Sequence, residues 1–280
     1  MSSNLQNIKQ RISVRAYADQ PLPAGARAEL EAFMAGISHG PFGTPLRFRF
    51  LDESGVSRAE QRRLGTYGMI TGDRYYLAGA VRIGGADAEL DYGYCLERII
   101  LQATGLGLGT CWLAGSLNRD TFAQKMALQG NEIIPAVSPV GIPAELKRLG
   151  IILAQNLMQV RKRREFGNLF FDGQAGQPLS LTAAGPWAAA LEAVRAAPSA
   201  SNKQPWRVIK SGPDFHVCLE ADPLYNRAFK SFSVQRLDIG IALCHFELAA
   251  SELGLPGGWH DVQPQPATGK LTYIKTWRPA

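Results

Sequence analysis

Arg11, Ser13 and Arg15 alternate within the segment RISVRAY, so an extended backbone sets two guanidinium groups and a hydroxyl on one face. Guanidinium forks pair with phosphate or carboxylate through charge-assisted bonds, and a small hydroxyl adds a donor between them. By spacing alone the triplet reads as a surface salt-bridge cluster ahead of an anion site. A second polar stretch, Pro198 to Trp206 (PSASNKQPW), is stiffened by a proline near each end, and its hydroxyls and amides can serve their own turn or a polar ligand. On spacing it is an ordered structural loop, with ligand binding as the alternative and Trp206 as a packing anchor at a strand start.

The net charge of +6 is concentrated in Lys147, Arg148, Arg161, Lys162, Arg163 and Arg164. This cluster is either a solvated face or a phosphate grip. It has no long basic tail and no interleaved aromatic platform, so no nucleic-acid partner is expected. The four cysteines form no CxxC pair, which points to free thiols rather than a disulfide framework, and no metal site is expected. Cys111 reads as a core thiol ahead of a redox cysteine, and His245, on an apolar helix, as a satisfied core histidine. His39 sits in a loop that could face a substrate channel. Neither a signal-sequence core nor an apolar run of membrane-spanning length occurs, so a cytoplasmic protein without membrane partners is expected. Gly105, Gly107 and Gly109 follow a helix instead of linking a strand into one, which counts against a Rossmann domain.

The elements that must position these residues follow from periodicity. Helices are predicted at Ala26–Ile37, Ala59–Tyr67, Arg119–Ala127, Leu146–Gln159 and from Pro186 or Trp187 to Ala196. Strands are predicted at Leu46–Leu51, Tyr75–Arg82, Pro135–Val140, Trp206–Lys210, Phe215–Glu220 and Leu271–Trp277. Met1–Gln10 is a short helix or a loose arm. Gly167–Pro178 reads as a glycine-rich turn. Two long buried helices open at Leu90 and Leu237. Leu90–Trp112 and Leu237–Trp259 match at an offset of 147, sharing Leu90/Leu237, Asp91/Asp238, Gly93/Gly240, Leu106/Leu253, Gly107/Gly254 and Trp112/Trp259 among others. The shared Asp is expected to cap its helix. Pro45-Leu46-Arg47 is echoed by Pro205-Trp206-Arg207, in the same order relative to the helices. The chain is therefore expected to be an internally duplicated α+β protein. Mixed or antiparallel sheets would pack with helices around a pseudo-twofold helical core, in halves 1–175 and 176–280.

Together these motifs resemble the FMN-dependent nitroreductase family, in particular its fused single-chain branch. RISVRAY is similar to that family's opening motif, APSASNKQPWRV to its Pro-Ser-x-x-Asn loop, GLGLGTCWLAG to its Gly-Leu-Gly-x-Cys-Trp segment, and VGIPAE followed by RKRREF to its turn and basic segment. The resemblance implies FMN held at the phosphate and ribityl chain by Arg11, Ser13, Arg15, Arg161 and Arg163. Pro198, Ser199, Ala200 and Asn202 of the second half would close over the flavin. Leu113, Ala114 and Gly115 would lie beside its reactive edge and Tyr67 and Gly68 near its pyrimidine edge, with Tyr225, Asn226, Arg227 and Phe229 as a candidate opening above. It implies no catalytic side chain, the flavin N5 carrying the chemistry. The expected activity is NAD(P)H-driven reduction of a small electron-poor acceptor such as a nitroaromatic or quinone; the alternative is a non-catalytic FMN-binding, storage or sensing protein. The resemblance also implies a monomer acting as an internal pseudo-dimer. Ser38–Pro45 has lost the Pro-Ser-x-x-Asn pattern, LGLPGGW has lost much of LGLGTCW, and Ile12 replaces a common Arg. One flavin per chain is therefore expected.

Overall fold

The computed structural model describes residues 3–56, 70–115, 117–144, 162–227, 229 and 231–280. The expected helices Ala59–Tyr67 and Leu146–Gln159, and Tyr67, Gly68 and Arg161, lie outside them. Two compact units emerge, one from Gln10 to Val160 and one from Arg161 to Ala280 that also takes in Ser3–Lys9.

In the first unit the strands are β1 (Leu46–Asp52), β2 (Tyr75–Arg82), β3 (Gly109–Thr110), β4 (Glu132–Ile133) and β5 (Val137–Gly141). They form an antiparallel sheet in the order β1-β2-β5-β3, with β4 pairing to β2. The second unit holds β6 (Phe170–Asp172), β7 (Trp206–Ser211), β8 (Asp214–Leu219), β9 (Gly257–His260) and β10 (Thr272–Pro279). Its antiparallel run β7-β8-β10-β9 repeats the first sheet's order strand for strand. To it β6 adds a parallel edge beside β7. The duplication read from the helices thus extends to sheet topology, and the α+β class with antiparallel and mixed sheets is what the chain adopts.

The described α-helices are α1 (Asn4–Gln10), α2 (Ala24–Ala35), α3 (Ala88–Gly105), α4 (Arg119–Met126), α5 (Leu181–Ala184), α6 (Ala188–Ala196), α7 (Pro223–Asn226) and α8 (Val234–Glu252). The two long ones, α3 and α8, are buried on nearly every face, as helices apolar all round must be. Around α8, Trp187 stacks on Phe246 with centroids 5.7 Å apart, and Trp259 and Trp277 meet edge to face at 5.1 Å.

Two expectations need correction. The shared Asp caps neither helix: Asp87 and Ser233 occupy the cap positions, and Asp91 and Asp238 lie inside the helices with side chains buried. The glycine-rich stretches after Leu106 and from Gly167 contain β3 and β6, strands of two and three residues. Strands this short have too few residues to show alternation and exist through their pairing partners. Because Phe170 pairs with Val208, the 170–172 segment joins the second sheet.

Candidate functional site

Arg11–Tyr17 runs extended along the end of the first sheet. Ser13 bridges Thr110 of β3 in parallel, and the Val14 N–H donates to the Thr110 carbonyl at 2.8 Å. Further on, the Tyr17 N–H donates to the Thr71 carbonyl at 2.8 Å and the Thr71 N–H to the Arg15 carbonyl at 2.9 Å. Gly109 makes the close approach possible, since a Cβ there would stand 2.7 Å from the Val14 side chain. Ser13, Arg15 and Arg11 all lie near enough to the Cys111 thiol to favour its ionised form. Burial outweighs them and pushes that thiol up, so Cys111 is a protonated core group.

Arg11 is itself buried, which a surface salt-bridge cluster would not be. Its Nε lies 3.7 Å from Oε1 of the fully buried Glu97, an ion-pair distance too long for a hydrogen bond. Nε and Nη1 have no hydrogen-bond partner. Glu97 also accepts from the Trp112 indole N–H at 2.7 Å, which ties the end of the glycine-rich stretch to α3. Beyond it, Leu113 and Val137 exchange both backbone bonds at 2.9 Å. Arg119 donates to the carbonyls of Ala114 and Pro135, so a guanidinium fixes the backbone just before the exposed Gly115. The first unit therefore brings Arg11, Ser13 and Arg15 together on one face, with Leu113–Gly115 following directly from their Cys111 contact.

In the second unit, Pro198–Pro205 folds into a short turn with three non-glycine residues in the left-handed region, Ser201, Asn202 and Gln204, at φ of 48°, 55° and 51°. Such residues cost on the order of 1 kcal/mol each and need surrounding contacts to hold them. Those contacts come from the basic segment. Arg163 Nη1 donates to Asn202 Oδ1 at 2.8 Å and Nη2 to the Ala196 carbonyl at 3.0 Å. Asn202 Nδ2 donates to the Lys162 carbonyl at 2.9 Å, and the Arg164 N–H to Gln204 Oε1 at 2.9 Å. Tyr225 joins at the rim, its hydroxyl 2.9 Å from Ser201 Oγ. Arg163 and Asn202, 39 positions apart, are thus brought into direct contact, with Pro198, Ser199 and Ala200 half-buried beside them. His39 is exposed, while His245 is fully buried with Nδ1 2.9 Å from the Ala193 carbonyl.

Glu97, Arg119 and the working of the repeated Asp are not signalled by local spacing. Asp91 accepts from the Phe42 and Thr44 N–H groups at 2.8 and 2.9 Å, and Asp238 accepts from the Ala200 N–H at 2.9 Å. In each unit, then, the same helix position holds the loop that precedes the first strand of the repeated run. The 147-residue repeat carried the signal, but local spacing suggested a cap. No cluster of three or more metal-ligating side chains occurs among the described residues, and no described helix is long and apolar enough to cross a membrane.

The family model described as "Putative TM nitroreductase" matches residues 4–250. A Thermotoga maritima structure described as a "putative nitroreductase" is 19% identical, covers 99% of this chain and 93% of its own, and superposes with a TM-score of 0.61. A nitroreductase family protein of Clostridium novyi (17% identity, 52% of this chain and 88% of that one) gives a TM-score of 0.43. A nitroreductase of Desulfovibrio desulfuricans solved with FMN (21%, 52% and 88%) gives 0.42. No curated protein matches. With the family model spanning residues 4–250, this chain belongs to the nitroreductase family, whose general function is flavin-dependent redox chemistry.

Proposed function

We propose that the chain is an FMN-dependent oxidoreductase that takes electrons from NADH or NADPH and passes them to a small electron-poor acceptor, a nitroaromatic or a quinone. The observation that carries this reading is the state of Arg11, a buried guanidinium with two nitrogens lacking hydrogen-bond partners, on an extended segment beside β3. A buried cation in that condition is costly until an anion supplies the missing acceptors. A flavin phosphate is such an anion.

On this reading Arg11, Ser13 and Arg15, with Arg161 and Arg163, hold the phosphate and ribityl chain. Leu113, Ala114 and Gly115 line the ring, with Arg119 keeping their backbone in place through the Ala114 carbonyl. Tyr67 and Gly68 are assigned to the pyrimidine edge. Pro198, Ser199, Ala200 and Asn202 contribute from a loop whose amide and guanidinium partners hold it in shape. FMN when bound supplies hydride acceptance and donation at N5, so no ionisable side chain is required at the reacting atom. One flavin per chain, in a monomer that works as an internal pseudo-dimer in the cytoplasm, completes the proposal. The loss of the Pro-Ser-x-x-Asn pattern from Ser38–Pro45 supports the single site.

The test is anaerobic titration of the purified protein with NADH and NADPH, followed by a nitroaromatic or quinone. Bleaching of an oxidised-flavin spectrum and its return on adding acceptor are expected. Protein that neither carries nor takes up FMN would sink the cofactor assignment. Bound FMN that neither donor reduces would replace the reductase with a storage or sensing role.

A further inference from the structure

Arg119 is a cation in a position from which its own helix gains nothing. It is the first residue of α4, after the Asn118 cap whose Oδ1 accepts from the Thr121 N–H at 3.2 Å. A positive charge in the first turn opposes the helix dipole, and burial disfavours the charged form of this half-buried guanidinium. Its bonds go to backbone oxygens outside the helix: Nη2 donates to the Ala114 carbonyl and, at 3.1 Å, to the Pro135 carbonyl. The helix that carries it is held along its length. Phe122 and Met126 are buried, with Phe122 edge to face against Tyr76 at 5.3 Å, and Arg47 donates to the Met126 and Ala127 carbonyls at 2.9 and 3.1 Å.

The Ala114 carbonyl shares a trans peptide with the Gly115 N–H, so the two point in opposite directions and the N–H is turned away from Arg119. Gly115 is exposed, and its N–H donates to no acceptor among the described residues. A charge-assisted bond at one end of a peptide polarises the other end and makes the N–H a stronger donor. We propose that Arg119 is a positioning residue whose charge acts through the Ala114–Gly115 peptide, presenting the Gly115 N–H outward as a strengthened donor that favours negative charge opposite it. Resting on the proposed function, the group opposite is the flavin edge. Its electron density rises on reduction, so Arg119 raises the flavin's reduction potential. The polarised peptide itself needs no flavin.

Two measurements test this on Arg119→Gln, which keeps a neutral donor, and Arg119→Lys, which keeps the charge. The first is solvent exchange of the Gly115 amide proton, followed by NMR on the full chain without FMN. Base-catalysed exchange passes through an anion whose charge gathers on the Ala114 oxygen, where Arg119 donates. Replacing the charged donor by a neutral one in Arg119→Gln is therefore expected to slow exchange by about tenfold, and Arg119→Lys to stay near the parent. Mere loosening of the segment would speed exchange instead. The second is the midpoint potential of bound FMN. In Arg119→Gln the reduction equilibrium is expected to fall by about tenfold, which is about 30 mV for a two-electron couple. Exchange that is unchanged or faster in Arg119→Gln overturns the inference, and so does an unchanged potential. Should Arg119→Gln not fold, Arg119→Lys decides: exchange near the parent rate supports the role of charge, and slowed exchange with the charge still in place overturns it. Protein that takes up no FMN overturns the proposed function and the flavin half of the inference together, whereas the amide result is read without FMN.

Discussion

Arg163 Nη1 donates to Asn202 Oδ1 at 2.8 Å, so a basic side chain and a loop amide, each assigned to a flavin by resemblance, hold one another. Asn202 also donates to the Lys162 carbonyl at 2.9 Å, which makes it a clasp between the segment at 162–164 and a loop of left-handed residues. Asn202→Ala removes both bonds and the one its Oδ1 accepts from Gln204 Nε2 at 3.3 Å, while the Arg163 bond to the Ala196 carbonyl remains. A loss of about 1–2 kcal/mol in folding stability is expected from losing these part-buried and exposed hydrogen bonds. FMN retention should weaken by roughly tenfold, about 1.4 kcal/mol. Urea denaturation and quenching of FMN fluorescence measure the two effects. Unchanged retention in both Asn202→Ala and Arg11→Ala would remove the basis for the assigned flavin contacts.

Arg11 and Glu97 allow charge pairing to be separated from ligand binding. Arg11→Ala leaves a fully buried carboxylate facing an empty position, and breaking one side of a buried pair costs about 3–5 kcal/mol. Glu97→Gln in the same background removes that stranded charge and keeps an oxygen for the Trp112 indole N–H. The double variant is therefore expected to recover stability over Arg11→Ala, as read from the urea midpoint, without recovering FMN affinity. If affinity returns with stability, Arg11 acts only through the fold.

These relationships mark where the sequence was legible. Tyr75–Arg82 and the bulk of α3 and α8 were readable because each element carries enough apolar positions to display its period. The Arg11-Ser13-Arg15 face was readable because alternation in an extended strand needs only three positions. β3, β6 and β9 were hidden, since two to four residues show no period and their existence depends on β5, β7 and β10. Burial of Arg11 against Glu97 was hidden for a related reason: the partners lie 86 positions apart, and nothing local to either signals the other. Asp91 and Asp238 are the instructive case. Their repetition was visible, but their bonds go to backbone N–H groups at Phe42, Thr44 and Ala200, which any residue type except proline could supply.

The cysteines provide a test of the first unit's core. All four are buried and none is in a disulfide. Burial pushes Cys95 and Cys218 up to about 12 and raises Cys111 despite the nearby Arg15 and Arg11. Thiol reagents attack the thiolate, so native protein at pH 8 should show almost no fast reaction, and unfolded protein should release all four thiols. Absorbance with an aromatic disulfide reagent, with and without denaturant, gives the count. A fast native thiol lost in Cys111→Ser would turn Cys111 from a core group into a reactive one.

Asp238 predicts the direction in which one buried carboxyl couples stability to pH. Burial raises it well above the ordinary carboxylate range, offset only in part by the Ala200 N–H. Its unfolded counterpart ionises near about pH 4. Above that pH the unfolded chain has released a proton that the folded chain still holds, so the contribution of this group to stability is complete at lower pH. It declines as pH rises through the folded value, with a slope of up to about 1.4 kcal/mol per pH unit. Asp238→Asn cannot ionise and escapes the decline. The variant should therefore gain on the parent as pH is raised from about 4, whatever its offset at acid pH, because every other titrating group is common to both proteins. Urea unfolding of the pair at several pH values measures the difference. A gap that stays constant with pH would mean that Asp238 ionises in the folded chain as readily as in the unfolded one, which would require a partner for Oδ2 that the buried geometry does not provide.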